Sequence, residues 1–211
     1  MPTALIDVDK HLFEPIVKPG YADLDQKRIQ SSPYTEIDHL LNLDDLQFEY
    51  RAIALALQSF EITSQRYAFD PYDDSFNIQQ IWQLAHEYAI KLGKSLPTTE
   101  IYVIAFRSQL HTETQQSEER REYLGQVDKA SHQEANLSGG LLKYWFGTPE
   151  DTLGRNLATC WWRSKEDAKA GGGGKAHRQG MAKVKGWFGH WQVEEYRVVF
   201  GADRYSIERI N

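Results

Sequence analysis

The sequence predicts an α+β fold in which strands and helices follow one another as β-α-β-β-α-β, behind an N-terminal helical extension. Three observations carry this reading. The run Ile101 to Phe106 is β-branched and aromatic on both faces, as a central strand requires. Gly139-Gly140 separates a long helical stretch from a short apolar strand. Gly171 to Gly174 interrupts a second helical stretch, which leads into another strand.

The elements follow in order. Residues 1–35 hold Pro15, Pro19 and Pro33 and little periodicity, which predicts an extended arm lying on the body or a partly disordered segment. Residues 36–97 read as a helical extension packed on the core. From Asn42, Leu43, Leu46, Tyr50, Ala54 and Leu57 recur at helical spacing. Phe60 to Ser75 is a turn-rich connector. A cleaner helix follows, with Ile78, Ile81, Trp82, Ala85, Ala89 and Leu92 on one stripe, Ser75 or Asn77 able to cap it and Gly93 able to end it. Residues 98–211 form the main domain. Its predicted elements are a strand over 100–106, a helix over 117–137, strands over 141–146 and 156–163, a broken helix over 165–188, a strand over 191–200 and a short strand over 205–210. This is the split βαβ order of ferredoxin-like folds. Such a sheet carries its helices on one face, so the other face needs cover. A second copy of the sheet would supply it, which predicts a homodimer unless residues 1–57 fold over that face instead.

Composition narrows the function. The 211 residues carry a net charge of −6, against the basic stripe of a nucleic-acid binder. The run Glu118 to Glu122 reads as a solvated helix face. The single cysteine, Cys160, allows no internal disulfide and no cysteine-based zinc site, and its mid-strand place reads as inert core. No apolar run approaches the roughly 20 residues of a membrane span, and residues 1–10 lack the apolar core of a signal peptide. These features predict the cytoplasm, with the nucleus as a second address, and no membrane or nucleic-acid partner.

Three stretches carry a resemblance: Phe106-Arg107-Ser108; Ser131 to Ala135 running on through Ser138-Gly139-Gly140-Leu141-Leu142-Lys143-Tyr144-Trp145-Phe146-Gly147; and Asn156 to Ser164. They are similar to a fungal protein family of unknown function, itself distantly similar to the dimeric α/β-barrel superfamily of the antibiotic-biosynthesis-monooxygenase type. The resemblance runs from about Gln47 to the C-terminus. It implies a fold and assigns no catalytic residue, because the superfamily hosts oxygenases, haem-degrading enzymes, isomerases and cyclases.

Candidate site residues come from the helical wheel. At about 100° per residue, Tyr123, Leu124, Val127, Ala130 and Leu137 define an apolar stripe; Glu134 falls on it and His132 opposes it, which predicts a solvent-facing His132. On the next helix, Ala176, Gly180, Val184, Trp187 and Phe188 define a face that includes His177. Both helices pack on one face of the sheet, so Glu134 and His177 can meet there as an orienting acid and a general base. A structural hydrogen bond is the competing reading. Arg107 and Lys143 are candidates for holding a substrate oxygen, and Tyr144 and Trp162 for lining an aromatic pocket. The run Gly171 to Lys175 is not a phosphate loop: Lys169 stands where the pattern needs its first glycine, and Ala176 where it needs Ser or Thr. It reads as a break between helices, with a lid hinge as its functional version.

The function expected from these residues is a small-molecule enzyme without metal or other cofactor, an oxygenase, isomerase or cyclase acting on an aromatic or polyketide-like substrate. Two alternatives stand beside it. One is a non-enzymatic dimeric binding protein; the other is a haem-binding barrel with His177 as axial ligand.

Overall fold

The computed structural model of the protein describes residues 24–149 and 153–211. Of the arm expected over residues 1–35, residues 1–23 lie outside the described residues. The chain then makes a two-stranded ribbon from β1 (Arg28–Ile29) and β2 (Leu41–Asn42), joined by a strap over residues 30–40. Three helices follow: α1 (Phe48–Ala56), α2 (Tyr72–Ser75) and α3 (Ile78–Lys91). Helix α3 buries Ile78, Ile81, Ala85 and Ala89 along one stripe, and Gly93, at φ 92°, ends it in the left-handed conformation that glycine adopts without strain.

The chain continues with β3 (Thr99–Leu110), α4 (Thr112–Gln116), α5 (Glu118–Ser138), β4 (Leu141–Phe146), β5 (Arg155–Trp162), α6 (Lys165–Gly172), α7 (Lys175–Val184), β6 (Phe188–Phe200) and β7 (Tyr205–Arg209). The five strands lie in the order β4-β5-β3-β6-β7, antiparallel throughout. Without the edge strand β7, this is the ferredoxin-like arrangement: β3 and β5 pair centrally, with β4 beside β5 and β6 beside β3 at the edges. The predicted fold is therefore the observed one.

Alternation along β3 sorts the two faces. Ile101, Val103 and Ala105 point toward α1 and α3 and are wholly buried, together with Leu157 and Trp161 of β5 and Val198 and Phe200 of β6. Helix α1 is itself buried from Ala52 to Ala56, as a helix with partners on several sides must be. The face expected to await a second copy of the sheet is thus covered by the same chain. This removes the bare surface from which a two-fold dimer was argued. The other face meets α5 and α6 through Tyr102, Leu141, Tyr144 and Trp162. Between these, Ile104, Phe106, Ala158 and Cys160 stay only half-buried, although they sit on the inner strands β3 and β5.

Two glycines of the run, Gly171 and Gly174, stand where a side chain has no room. A side chain at Gly171 would collide with the Trp162 ring, and one at Gly174 with the Glu134 carboxylate, so the two helices of the broken segment sit too close to the body for a Cβ there.

Candidate functional site

The helix-covered face of the sheet holds an unusual set of polar groups. Tyr144 stands on β4 and donates its hydroxyl to Asp128 Oδ1 of α5 at 2.5 Å. Tyr34, on the strap, donates to the other oxygen, Oδ2. Desolvation pushes the Asp128 carboxyl above its usual range, while the two phenols and the nearby His177 ring pull the other way. Both tyrosine hydroxyls are raised above their ordinary value, first by burial and then by the Asp128 charge. Cys160 lies across from Tyr144 in the β4–β5 register. Its thiol is pushed up, again by burial first and by Asp128 second. Cys160 is nonetheless partly accessible. With Ile104, Phe106 and Ala158 it forms a half-open stretch of the sheet facing the helices, termed the recess, and Asp128 is likewise half-buried. The floor of the recess is apolar, with Phe146 beside Tyr144 at 5.7 Å between ring centres.

Two histidines lie beside it. His39 of the strap and His132 of α5 stack at 5.0 Å, with their Nδ1 atoms 2.7 Å apart. Both are buried, and His132 also packs on Tyr144. Burial lowers the pKa of both rings, that of His132 to about 3. His132 is therefore not the solvent-facing residue that the wheel predicted. The wheel weighed one partner for α5, the sheet, whereas the strap folds back from nearly a hundred residues away and covers a second side.

The predicted site residues fall in several places. Glu134 and His177 do come together, but through the backbone: both carboxylate oxygens accept from Ala176 N–H at 2.9 Å, and Oε2 from His177 N–H at 3.2 Å. Glu134 thus caps α7, and those N–H groups hold its carboxyl below the usual range. No hydrogen bond joins it to the His177 imidazole, which acts electrostatically on both Asp128 and Glu134. Tyr144 lines the recess. Trp162 is buried beside it, and its Nε1–H has no hydrogen-bond partner among the described residues.

Arg107 and Lys143 turn away. They project from the opposite face, Lys143 beside its pairing partner Trp161. Arg107 is no strand-end arginine, because β3 runs on to Leu110. It is buried, pairs with Glu194 at 3.0 Å and donates to the carbonyls of Tyr67 and Asp70, so it pins the 67–71 loop. Two open grooves mark the surface. One, of about 680 Å³, is walled by Arg107, Glu194 and Tyr196; the other, of about 450 Å³, by Tyr123, Lys183 and Trp187. Neither reaches Glu134 or His177. Among the described residues, no three His, Cys, Asp or Glu side chains group as metal ligands, and no helix is long and apolar enough to cross a membrane.

Sequence reasoning passed over Asp128, Tyr34 and His39. A signal for Asp128 existed: it stands four residues after Leu124 and seven before Ala135, on the apolar spacing of α5. Tyr34 and His39 offered none, because only tertiary folding brings the strap to α5.

Comparison with known proteins agrees with the resemblance. The chain matches the PB2B2.08-like family over residues 30–209. It is 49% identical over 214 residues to UPF0643 protein PB2B2.08 of Schizosaccharomyces pombe (strain 972 / ATCC 24843), covering 99% of this chain and 97% of that protein. Among solved structures, a candidate antibiotic biosynthesis monooxygenase from Nitrosomonas europaea aligns at TM-score 0.36 and 14% identity, over 49% of this chain and 90% of its own. A conserved protein from Methanosarcina mazei Go1 aligns at TM-score 0.38 and 12% identity, over 46% and 91%. At such scores the ferredoxin-like assignment rests on the strand order itself. With the family match spanning most of its length, the chain belongs to the PB2B2.08-like family.

Proposed function

We propose that the protein is a cofactor-independent enzyme that moves a proton on a hydrophobic aromatic or polyketide-like substrate held in the recess between sheet and helices. One observation carries the reading: a desolvated carboxyl, Asp128, held between two phenols above an apolar floor. Raised carboxyls in such recesses are suited to act as bases near neutral pH. Asp128 takes a proton from an acidic C–H of the substrate; the C–H electron pair passes to the carbonyl, leaving an enolate oxygen. The Tyr34 and Tyr144 hydroxyls, released as the carboxylate is neutralised, then donate to that oxygen. This is the helix-to-sheet interior that the sequence singled out, with Asp128 in place of Glu134 as the acid that matters.

The test needs no knowledge of the natural product. A panel of aromatic hydroxy-ketones in deuterium oxide is followed by proton NMR for loss of the signal α to the carbonyl. The parent protein accelerates exchange of at least one panel member, and Asp128→Asn lowers that rate by roughly 10²–10⁴-fold. Exchange that survives Asp128→Asn, or no acceleration across the panel, overturns the reading.

A further inference from the structure

We propose that the strap over residues 30–40 is an acid-released latch across the recess, with the His39–His132 pair as its catch. The inference rests on reading the recess as the functional site, and it adds how that site is opened.

The strap is fixed to the body at a few points. Tyr144 N–H donates to Ser31 O at 2.8 Å. Tyr34 reaches Asp128, and Asn136 Nδ2 donates to the carbonyls of Asp38 and Leu40. Gln133 bonds Asp38, and Lys129 pairs with Glu36, both in exposed positions where such contacts contribute little. The buried contact between the two elements is the stacked histidine pair. Its short Nδ1···Nδ1 contact forms only if one ring donates and the other accepts, so the two rings cannot both be protonated. His132 Nε2 is buried with no partner. An orphan lone pair is cheaper to bury than an orphan N–H. His132 therefore keeps its proton on Nδ1 and donates to His39. One added proton leaves the Nδ1 bond in place but puts an N–H on the buried His132 Nε2, which has no acceptor, and a charge in a desolvated site; a second proton sets two N–H groups against each other.

The charged and titratable groups around the pair set the direction. On the strap are Tyr34, Glu36 and Asp38; on α5, Asp128 and Lys129; on β4, Tyr144. Glu36 and Asp38 favour protonation of His39, and Lys129 and desolvation oppose it, with desolvation the largest effect. Both rings titrate below the ordinary histidine value, so the closed strap is fully favoured above about pH 6.5 and loses ground as pH falls from there. Asp128 works in the other direction, because its raised carboxyl takes up a proton in the closed form. Its window runs upward from the ordinary carboxylate range to the raised value, and across it Asp128 opposes release. For one ring lowered as far as His132, opening becomes roughly twentyfold more favourable between pH 7 and pH 5.

The only cysteine of the chain supplies a reporter, because Cys160 lines the recess and shares a packing cluster with Tyr34. Two measurements on the full chain decide the matter between pH 7 and 5. One is backbone hydrogen exchange over residues 34–42, corrected for the intrinsic rate at each pH. The other is the labelling rate of Cys160 by a small methanethiosulfonate, normalised to free cysteine at the same pH. Both rise at least tenfold on acidification relative to β3 amides, and both lose that pH dependence in His39→Leu/His132→Leu, an apolar pair of similar volume. Strap exchange that ignores pH in the parent overturns the latch without recourse to any variant. A strap that opens while Cys160 stays closed overturns its place over the recess. Neither result touches the deuterium-exchange test of Asp128, so failure of the latch and failure of the site are separable.

Discussion

The two faces of the central sheet are built from the same strands and do opposite things. Toward α1 and α3, Val103, Ala105, Leu157, Trp161 and Val198 have no exposure, and the polar groups between them are matched: Trp161 Nε1–H donates to the Tyr72 hydroxyl at 3.0 Å, which shares a 2.7 Å bond with Thr159. Toward α5, α6 and the strap, Ile104, Phe106 and Cys160 stay half-open, and His132 Nε2 and Trp162 Nε1 have no partner. A fully satisfied apolar face contributes stability; orphan polar atoms beside a desolvated acid cost it, and such costs gather where a protein handles ligands. The N-terminal extension, by closing one face, leaves the other free to carry the recess.

The sharpest way to break this comparison is to cut one aromatic residue from each face. Trp161→Ala opens a cavity in the closed face and costs about 3–5 kcal/mol. Phe106→Ala, on the half-open face, costs about 1 kcal/mol, because much of its surface is already in contact with solvent. Urea unfolding of both variants checks the pair. Equal losses would mean that the two faces are packed alike and that the recess is an illusion of loose side chains.

Lys143 is the exception on the closed face. It shares a side with Trp161, and among the described residues it makes no ion pair and no hydrogen bond. Desolvation lowers its pKa to about 8 from 10.5. Between those values the unfolded chain binds more protons than the folded one, so stability rises with pH across the window and is lowest below it. Lys143→Met therefore stabilises the protein at pH 7 by about 1–2 kcal/mol, allowing for partial solvent screening. That gain shrinks toward zero as pH approaches 10.5. A gain that does not depend on pH would assign the effect to packing and not to the buried charge.

The strands and helices were legible because each is set by local pattern: the glycines at 139–140 and 171–174 fall at element ends, and β4 occupies the predicted 141–146 span. The closed face was only half legible. Its covering helices were visible as stripes, but nothing local says which face of a sheet a preceding helix will cover. The site was harder still. His132 and Asp128 sit one turn apart on α5 and are both drawn inward, one by the strap and one by Tyr144 of the sheet. A wheel with a single apolar direction cannot describe a helix that has a sheet on one side, α6 and α7 on another and a strap on a third.

The smallest expected effect separates Glu134 as a helix cap from Glu134 as a catalytic partner. Gly174 precedes α7 and has no side chain to satisfy the first N–H groups of that helix, so Glu134 of α5 supplies the acceptor from outside. Glu134→Ala removes it and costs about 1 kcal/mol, as lost caps usually do. Because the cap holds the carboxyl below its ordinary 4.5, its contribution is present above that value and is lost as pH falls through the lowered one. Glu134→Gln keeps an acceptor and gives up only the charge, so it costs less than the alanine variant. The space left by the missing glycine side chain makes a second check. Gly174→Ala drives a methyl group into the Glu134 carboxylate in the parent, whereas with Glu134→Ala only the tight 3.0 Å contact to Cβ remains, so the two changes together cost less than their sum. Proton transfer adds the discriminating measurement. An acid that orients His177 through its ring would lose most of the deuterium exchange in Glu134→Gln, whereas a cap keeps it near the parent rate. A large loss there, with stability unchanged, would move the chemistry from Asp128 back to the pair on α5 and α7.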